Sequence, residues 1–134
     1  MRGGSILDEN KSQMLSETKD FLIEYYKYPP EQILINYPVN LKDGRIVLAD
    51  LVVTTKKAIP YMVIYVTTDQ IPVDKVKEIL TESDLIYGVV RQVKIDEVSE
   101  FWGIEKKRGI FKDTDFEYLS DYPPRSTWLE IFWT

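Results

Sequence analysis

The chain has 134 residues, 44% hydrophobic and 29% charged, which is the balance of one globular domain with its own core. It has no cysteine and no histidine, which excludes disulfides, thiol catalysis, Ser-His triads and ordinary zinc sites, so any metal would need oxygen ligands. The net charge of −5 lowers the expectation of duplex-DNA binding, which usually needs a basic face, and favours a protein partner.

Composition also bounds the domain and its location. We expect a single domain over residues 1–134, with a core over 10–92 and a C-terminal extension over 93–134. Residues 1–8 resemble no signal peptide and are expected to be disordered or left by cloning. With no apolar run of roughly 18 residues, a cytoplasmic protein without membrane contact is expected. The missing cysteine and the frequent Ile, Tyr, Lys and Glu hint at a thermophilic source.

The first predicted element is a helix over residues 10–27. Asn10 and Gln13 have the spacing of a capping box, and the two prolines after Tyr28 end the helix. Apolar or small side chains recur at helical spacing and predict one buried face, formed by Met14, Thr18, Phe21, Leu22 and Tyr25.

Three strands are predicted next, over residues 32–39, 45–54 and 60–67. The first alternates and should be half-buried, with Ile33, Ile35, Tyr37 and Val39 on one side. The second and third are apolar on both faces, which predicts burial on both faces, and Asp50 interrupts the second. The turn at 42–44 and a short basic loop at 55–59 predict an antiparallel meander.

A second helix is predicted over residues 72–82, with Pro72 in its first turn and Asp74 near its positive end. A buried strand over 85–91 follows it. A strand, helix and strand of this length predict a right-handed crossover and a parallel pair. The element order is therefore αβββαβ, an α/β (α+β) fold with a mixed sheet flanked by helices.

The C-terminal extension has weaker patterns. Residues 104–111 could form a hairpin through a charged turn, with Phe101, Trp102 and Phe111 as core or base-stacking aromatics. The tail carries the aromatic residues Trp128, Phe132 and Trp133. Packing on its own sheet and contact with a second subunit are equally compatible with that tail.

The element order, with one acid inside the second strand, resembles a known family over residues 15–92. The stretches that carry the resemblance are FLIEYYKYP (21–29), INYPV (35–39), LADLVV (48–53), YMVIYVT (61–67) and LIYGVV (85–90). The chain resembles the PD-(D/E)xK nuclease-like domain at the N-terminus of type I restriction enzyme R subunits. The resemblance implies a restriction-endonuclease-like core.

The chemistry that this resemblance implies needs three groups on one face. An aspartate on the second strand and an acid on the third bind Mg²⁺, and a lysine two residues after the acid orients the attacking water. Asp50 matches the aspartate, but Tyr65 and Thr67 stand at the acid and lysine positions. A phenol and a hydroxyl are poor substitutes for these charges, so the resemblance implies an incomplete site.

Two interpretations of Asp50 stay open. It is either a relic that is exposed or hydrogen-bonded, or a metal ligand completed by groups that have migrated to other elements. Candidates for a migrated group are the acids Glu24, Asp69 and Glu78 and the lysines Lys56, Lys57 and Lys75.

Basic residues give a possible nucleic-acid interface, formed by Lys56, Lys57, Lys106, Lys107 and Arg108. The alternative is a solvated hairpin tip. Three functions follow, in order of preference. The first is an inactive scaffold that binds a protein partner or a second copy of itself, and needs no cofactor. The second is a Mg²⁺-dependent deoxyribonuclease with migrated catalytic residues. The third is a DNA-binding module that does not cleave.

Overall fold

The structure, a computed structural model, describes residues 3–106 and 117–119. The described elements are, in chain order, α1 (Gly3–Tyr26), a 3-10 turn (Pro30–Gln32), β1 (Ile33–Asn40), β2 (Ile46–Thr54), β3 (Pro60–Thr67), α2 (Val73–Thr81), β4 (Tyr87–Gln92), β5 (Glu100–Glu105) and β6 (Glu117–Tyr118). Up to β4, the helices and strands follow one another in the order that the sequence predicts.

The described strands form one mixed sheet in the order β1-β2-β3-β4-β5-β6. β1, β2 and β3 are an antiparallel meander, and β4 lies parallel to β3 after the α2 crossover. β5 and β6 extend the sheet by antiparallel pairing. The predicted αβββαβ order and the α/β restriction-endonuclease-like core are therefore confirmed.

The sheet separates two apolar cores, one under each helix. The α1 core contains Leu15 and Leu22 of the helix with Leu51, Val53 and Ile64 of the central strands. The α2 core joins buried side chains of the helix to the opposite sides of the same strands, and includes Val76, Ile79, Leu80, Val52, Val63 and Val90. Burial on both faces explains why β3 and residues 51–53 of β2 are continuously apolar. The prediction of burial on both faces is wrong for the first half of β2, where Ile46 and Leu48 are exposed.

Helix α1 begins at Gly3 rather than at the predicted Asn10. The spacing of Asn10 and Gln13 suggested a cap, but both lie inside the helix, and the Gln13 amide donates to Glu17 at 3.2 Å. The predicted face is correct for Thr18 and Leu22, which are fully buried, and wrong for Tyr25, which is 71% exposed.

Strand β1 does not present a single apolar side as predicted. Asn36 has a left-handed backbone (φ 53°), which an asparagine tolerates better than most residues. The alternation reverses there. Ile33 packs in the α1 core, whereas Val39 packs in the α2 core with Tyr37 against it.

The C-terminal extension is described only in part. β5 ends at Glu105, and β6 pairs with β5 in the antiparallel sense, with Trp102 opposite Tyr118. Lys107, Arg108 and Phe111 of the predicted hairpin, and Trp128, Phe132 and Trp133 of the tail, lie outside the described residues. Within the described ranges, no helix has the length and apolar character needed to cross a membrane.

Candidate functional site

Asp50 lies where the pairing between β2 and β3 breaks. The last regular pair on that side is Leu51 with Ile64, and an uninterrupted ladder would next bring the backbone of Val66 to residue 49. Instead the Asp50 carboxylate enters the gap, and its Oδ2 accepts the Val66 amide at 2.9 Å. On the other side of β2 the register runs from Ile35–Leu51 to Tyr37–Ala49 and skips the kinked Asn36.

Lys11 of α1 fills the rest of this gap. Its Nζ lies 2.8 Å from Asp50 Oδ2 and also donates to the Val66 carbonyl oxygen. The Lys11 side chain is 40% exposed and that of Asp50 16%, so the ion pair is half-buried. One ammonium and one carboxylate thus satisfy both backbone groups of Val66, where a neighbouring strand would otherwise have done so.

The position of Lys11 follows from the face that α1 buries. Lys11, Leu15, Thr18 and Leu22 recur at intervals of four, three and four residues, which places them on one side of a helix. Thr18 is fully buried and accepts a hydrogen bond from Arg91 Nη1 on β4 at 2.6 Å. Lys11 lies inside the helix predicted over residues 10–27, but the predicted buried face began only at Met14. Extending the buried stripe by one turn would have found it.

A cleft of about 670 Å³ opens beside the ion pair, between α1 and the end of β3. Its lining is mixed polar and apolar, and comprises Asn10, Lys11, Gln13, Met14, Glu17, Val66, Thr67 and Thr68. The cleft gives solvent and small solutes access to the side of the junction formed by α1.

The two positions that the resemblance assigns to an acid and a lysine carry neutral groups. Tyr65 is only 3% exposed, and burial, with a smaller contribution from the nearby Asp50, raises the pKa of its phenol well above the ordinary value. It therefore stays protonated. The Lys75 ammonium lies 4.7 Å from the centre of the Tyr65 ring, a cation–π contact. Thr67 accepts the Asp69 amide at 3.0 Å through its hydroxyl.

The acids proposed as migrated ligands have other partners or positions. Glu78 pairs with Arg45 at 3.2 Å, and the Asp69 carboxylate accepts the amide of Gln70 at 2.8 Å. Glu24 is exposed, 13 residues from Lys11 and so about 20 Å further along the helix. In the portion of the chain that the structure describes, no three His, Cys, Asp or Glu residues are grouped so as to hold a metal. These residues do not fit the Mg²⁺ site that the resemblance implies.

The predicted basic residues are not gathered around Asp50. Lys56 and Lys57 lie in the β2–β3 turn, and the Lys57 amide donates to Thr55. Lys106 donates to the Ser83 carbonyl oxygen at 2.7 Å. Burial, aided by the nearby Lys42, lowers its pKa against the opposing effect of Asp84. Lys107 and Arg108 fall in the part that is not described.

Comparison with known proteins gives one finding. The family model described as the N terminus of the type I restriction enzyme R protein matches residues 16–100, well over half of the chain. That range contains the strands β1 to β4 and the helix α2, and so includes Asp50 on β2. No curated protein and no solved structure matches the chain.

Proposed function

The chain belongs to the type I restriction enzyme R protein N-terminal family, and from that premise we propose that it binds a partner and does not cleave DNA. In this proposal the PD-(D/E)xK site is degenerate, and Asp50 serves as a structural group. The whole chain forms one domain in the cytoplasm. Pairing of β5 with β4 supports inclusion of the extension in that domain.

One observation carries the proposal. Asp50 Oδ2 already accepts hydrogen bonds from the Lys11 ammonium and the Val66 amide. The catalytic metal site that the resemblance implies would also use a second acid from the neighbouring strand β3, where the buried Tyr65 stays a neutral phenol. The metal-dependent DNA cleavage that the resemblance implies requires both acids and a lysine on the two strands, and only the first acid is in place.

The partner that the surface favours is a protein or a second copy of the chain. The net charge of −5 opposes contact with a polyanion. Ile46 and Leu48 on β2 are 66% and 57% exposed, which is unusual for two large apolar side chains two residues apart on one strand. DNA binding through Lys56 and Lys57 is the weaker alternative, and a band shift at low salt that vanishes in Lys56→Ala/Lys57→Ala would support it.

The test is incubation of plasmid with the wild type and Asp50→Ala, in Mg²⁺ and separately in Mn²⁺, at 37 °C and at a higher temperature. Supercoiled plasmid should remain intact with both proteins. Circular dichroism of both proteins confirms that each is folded. Metal-dependent nicking by the wild type that disappears in Asp50→Ala would overturn the proposal.

A second candidate is a deoxyribonuclease whose lysine has moved to α1. The 2.8 Å contact between Lys11 Nζ and Asp50 Oδ2 favours it, because a catalytic lysine must lie beside the metal-binding aspartate. This function predicts that Lys11→Met abolishes cleavage as completely as Asp50→Ala. If neither variant differs from a wild type that leaves plasmid intact, the second candidate is excluded.

A further inference from the structure

Resting on the proposed function, we infer that the Lys11 ammonium takes the place of a divalent cation between β2 and β3, and that removing it creates a metal site. The site is a small region bounded by Asp50 Oδ2, the Val66 carbonyl oxygen and the cleft beside α1. It explains both why an aspartate remains on β2 and why that aspartate needs no second acid.

Two oxygens converge on the same positive nitrogen. Lys11 Nζ is 2.8 Å from Asp50 Oδ2 and also donates to the Val66 carbonyl oxygen. A carboxylate and a backbone carbonyl are hard oxygen ligands of the kind that bind Mg²⁺ and Mn²⁺. An ammonium is a compact point charge with three donors, so it can satisfy the same two oxygens that a metal ion would.

The surroundings could complete the coordination of a metal with water. Mg²⁺ usually keeps several waters and needs only one or two protein carboxylates. The cleft beside Lys11 has room for such waters, and its lining includes the polar residues Asn10, Gln13 and Glu17. A metal held by Asp50 and the Val66 carbonyl would therefore have solvent access and polar neighbours on the side of α1.

The ammonium excludes the metal for two reasons. Two cations sharing the same oxygens would repel each other at short range in a half-buried site. The ammonium is also tethered by a helix that packs on the sheet through Leu15 and Leu22, so it competes as an intramolecular ligand at high effective concentration. The wild type should therefore bind Mn²⁺ weakly at this site.

The experiment measures Mn²⁺ binding from the loss of the free-ion signal in electron paramagnetic resonance. Five proteins are compared: the wild type, Asp50→Asn, Lys11→Ala, Lys19→Ala and Lys11→Ala/Asp50→Asn. Lys19 lies on the same helix, and its substitution removes the same charge without touching the junction. We expect Lys11→Ala to bind Mn²⁺ at least about tenfold more tightly than the wild type and Lys19→Ala, a change typical of one group beside a metal. Adding Asp50→Asn should return the affinity to the wild-type level.

Several outcomes would overturn the inference. One is a folded Lys11→Ala that binds Mn²⁺ no more tightly than Lys19→Ala. Another is a gain that persists in the double variant. If Lys11→Ala does not fold, Lys11→Ser is titrated in the same way under the same criterion. Independently of either variant, tight Mn²⁺ binding by the wild type that Asp50→Asn removes would mean that metal and ammonium coexist.

Failure of the inference is distinguishable from failure of the proposed function. Nicking of plasmid by the wild type overturns the proposed function, whatever the variants bind. Equal Mn²⁺ affinities in Lys11→Ala and Lys19→Ala overturn the inference, even when the wild type leaves plasmid intact.

Discussion

The two faces of the sheet hold their helices by different means. On one face, α2 packs by shape, with Val76, Ile79 and Leu80 fully buried. The fit is so close that a Cβ on Gly88 of β4 would lie 2.5 Å from Val76 Cγ1. On the other face, α1 combines an apolar stripe with directional contacts, through Lys11 to Asp50 and through Thr18 to Arg91.

Because the two helices are held differently, one face of the sheet contributes mainly to stability and the other mainly to the geometry of the site. Apolar packing is strong but non-directional, whereas hydrogen bonds and ion pairs fix a helix along its own axis. We conclude that α2 contributes mainly to the free energy of unfolding. The polar contacts of α1 mainly set where its side chains stand relative to Asp50. Four substitutions test this comparison, beginning with the one that should cost most.

Leu80→Ala should cause the largest loss of stability. It removes a fully buried side chain from the α2 core and leaves a cavity, which costs about 2–5 kcal/mol in the free energy of unfolding. Equilibrium unfolding in urea measures it. The control is Asp74→Ala on the exposed side of the same helix, which should cost less than about 1 kcal/mol. Equal losses in the two variants would show that α2 is not held by apolar packing.

Asp50→Ala should have the next largest effect. It leaves the Val66 amide and the half-buried Lys11 ammonium without their shared acceptor, at a cost of about 1–3 kcal/mol. The double variant Lys11→Ala/Asp50→Ala should lose less stability than the sum of the two single losses, because without the carboxylate the ammonium keeps only the Val66 carbonyl oxygen. Strictly additive losses in this double-mutant cycle would contradict the coupling of the two residues.

Thr18→Val should have a smaller effect on stability. Valine keeps the shape of the buried side chain, but it cannot accept the hydrogen bond from Arg91 Nη1, which should cost about 1 kcal/mol. Urea unfolding measures the loss, and Thr18→Ser, which keeps the hydroxyl, is the matched control. If Thr18→Ser is the less stable of the two, the methyl group matters more than the hydrogen bond, and α1 resembles α2 after all.

Glu78→Gln should have the smallest effect. The ion pair of Glu78 with Arg45 lies on the surface, where solvent screening and side-chain entropy cancel most of its attraction. The midpoint of urea unfolding should therefore match that of the wild type within error, at low and at high salt. A salt-sensitive loss of stability would show that α2, too, depends on charge.

Much of the fold could be predicted from sequence because its signals are local. The bounds of β3 agree with the apolar run from Pro60 to Thr67, and the buried face of α2 agrees with the spacing of Val76, Ile79 and Leu80. The helix between β3 and β4 then predicted that these two strands are parallel. The first two inferences need only residues a few positions apart, and the third follows from the order of the elements.

Of the two charged residues in the candidate site, only Asp50 could be predicted from the sequence. Asp50 stands out as an acid within an apolar strand, but Lys11 looks like any charged residue of a solvated helix, and its partner is 39 residues away. The reversal in β1 was hidden for a different reason. Ile33, Ile35, Tyr37 and Val39 alternate regularly, and nothing but Asn36 itself indicates the left-handed backbone that moves the last two to the other face.

The kink at Asn36 has a consequence for how the protein meets other chains. β1 is the outermost strand on its side of the described sheet, and such a strand can act as a template for a strand from another molecule. Here the left-handed Asn36 bends the strand, and two residues later Pro38 has no amide to donate. This edge strand is therefore poorly suited to pairing with a strand of a second copy. A partner is more readily bound through side-chain contacts than through backbone hydrogen bonds.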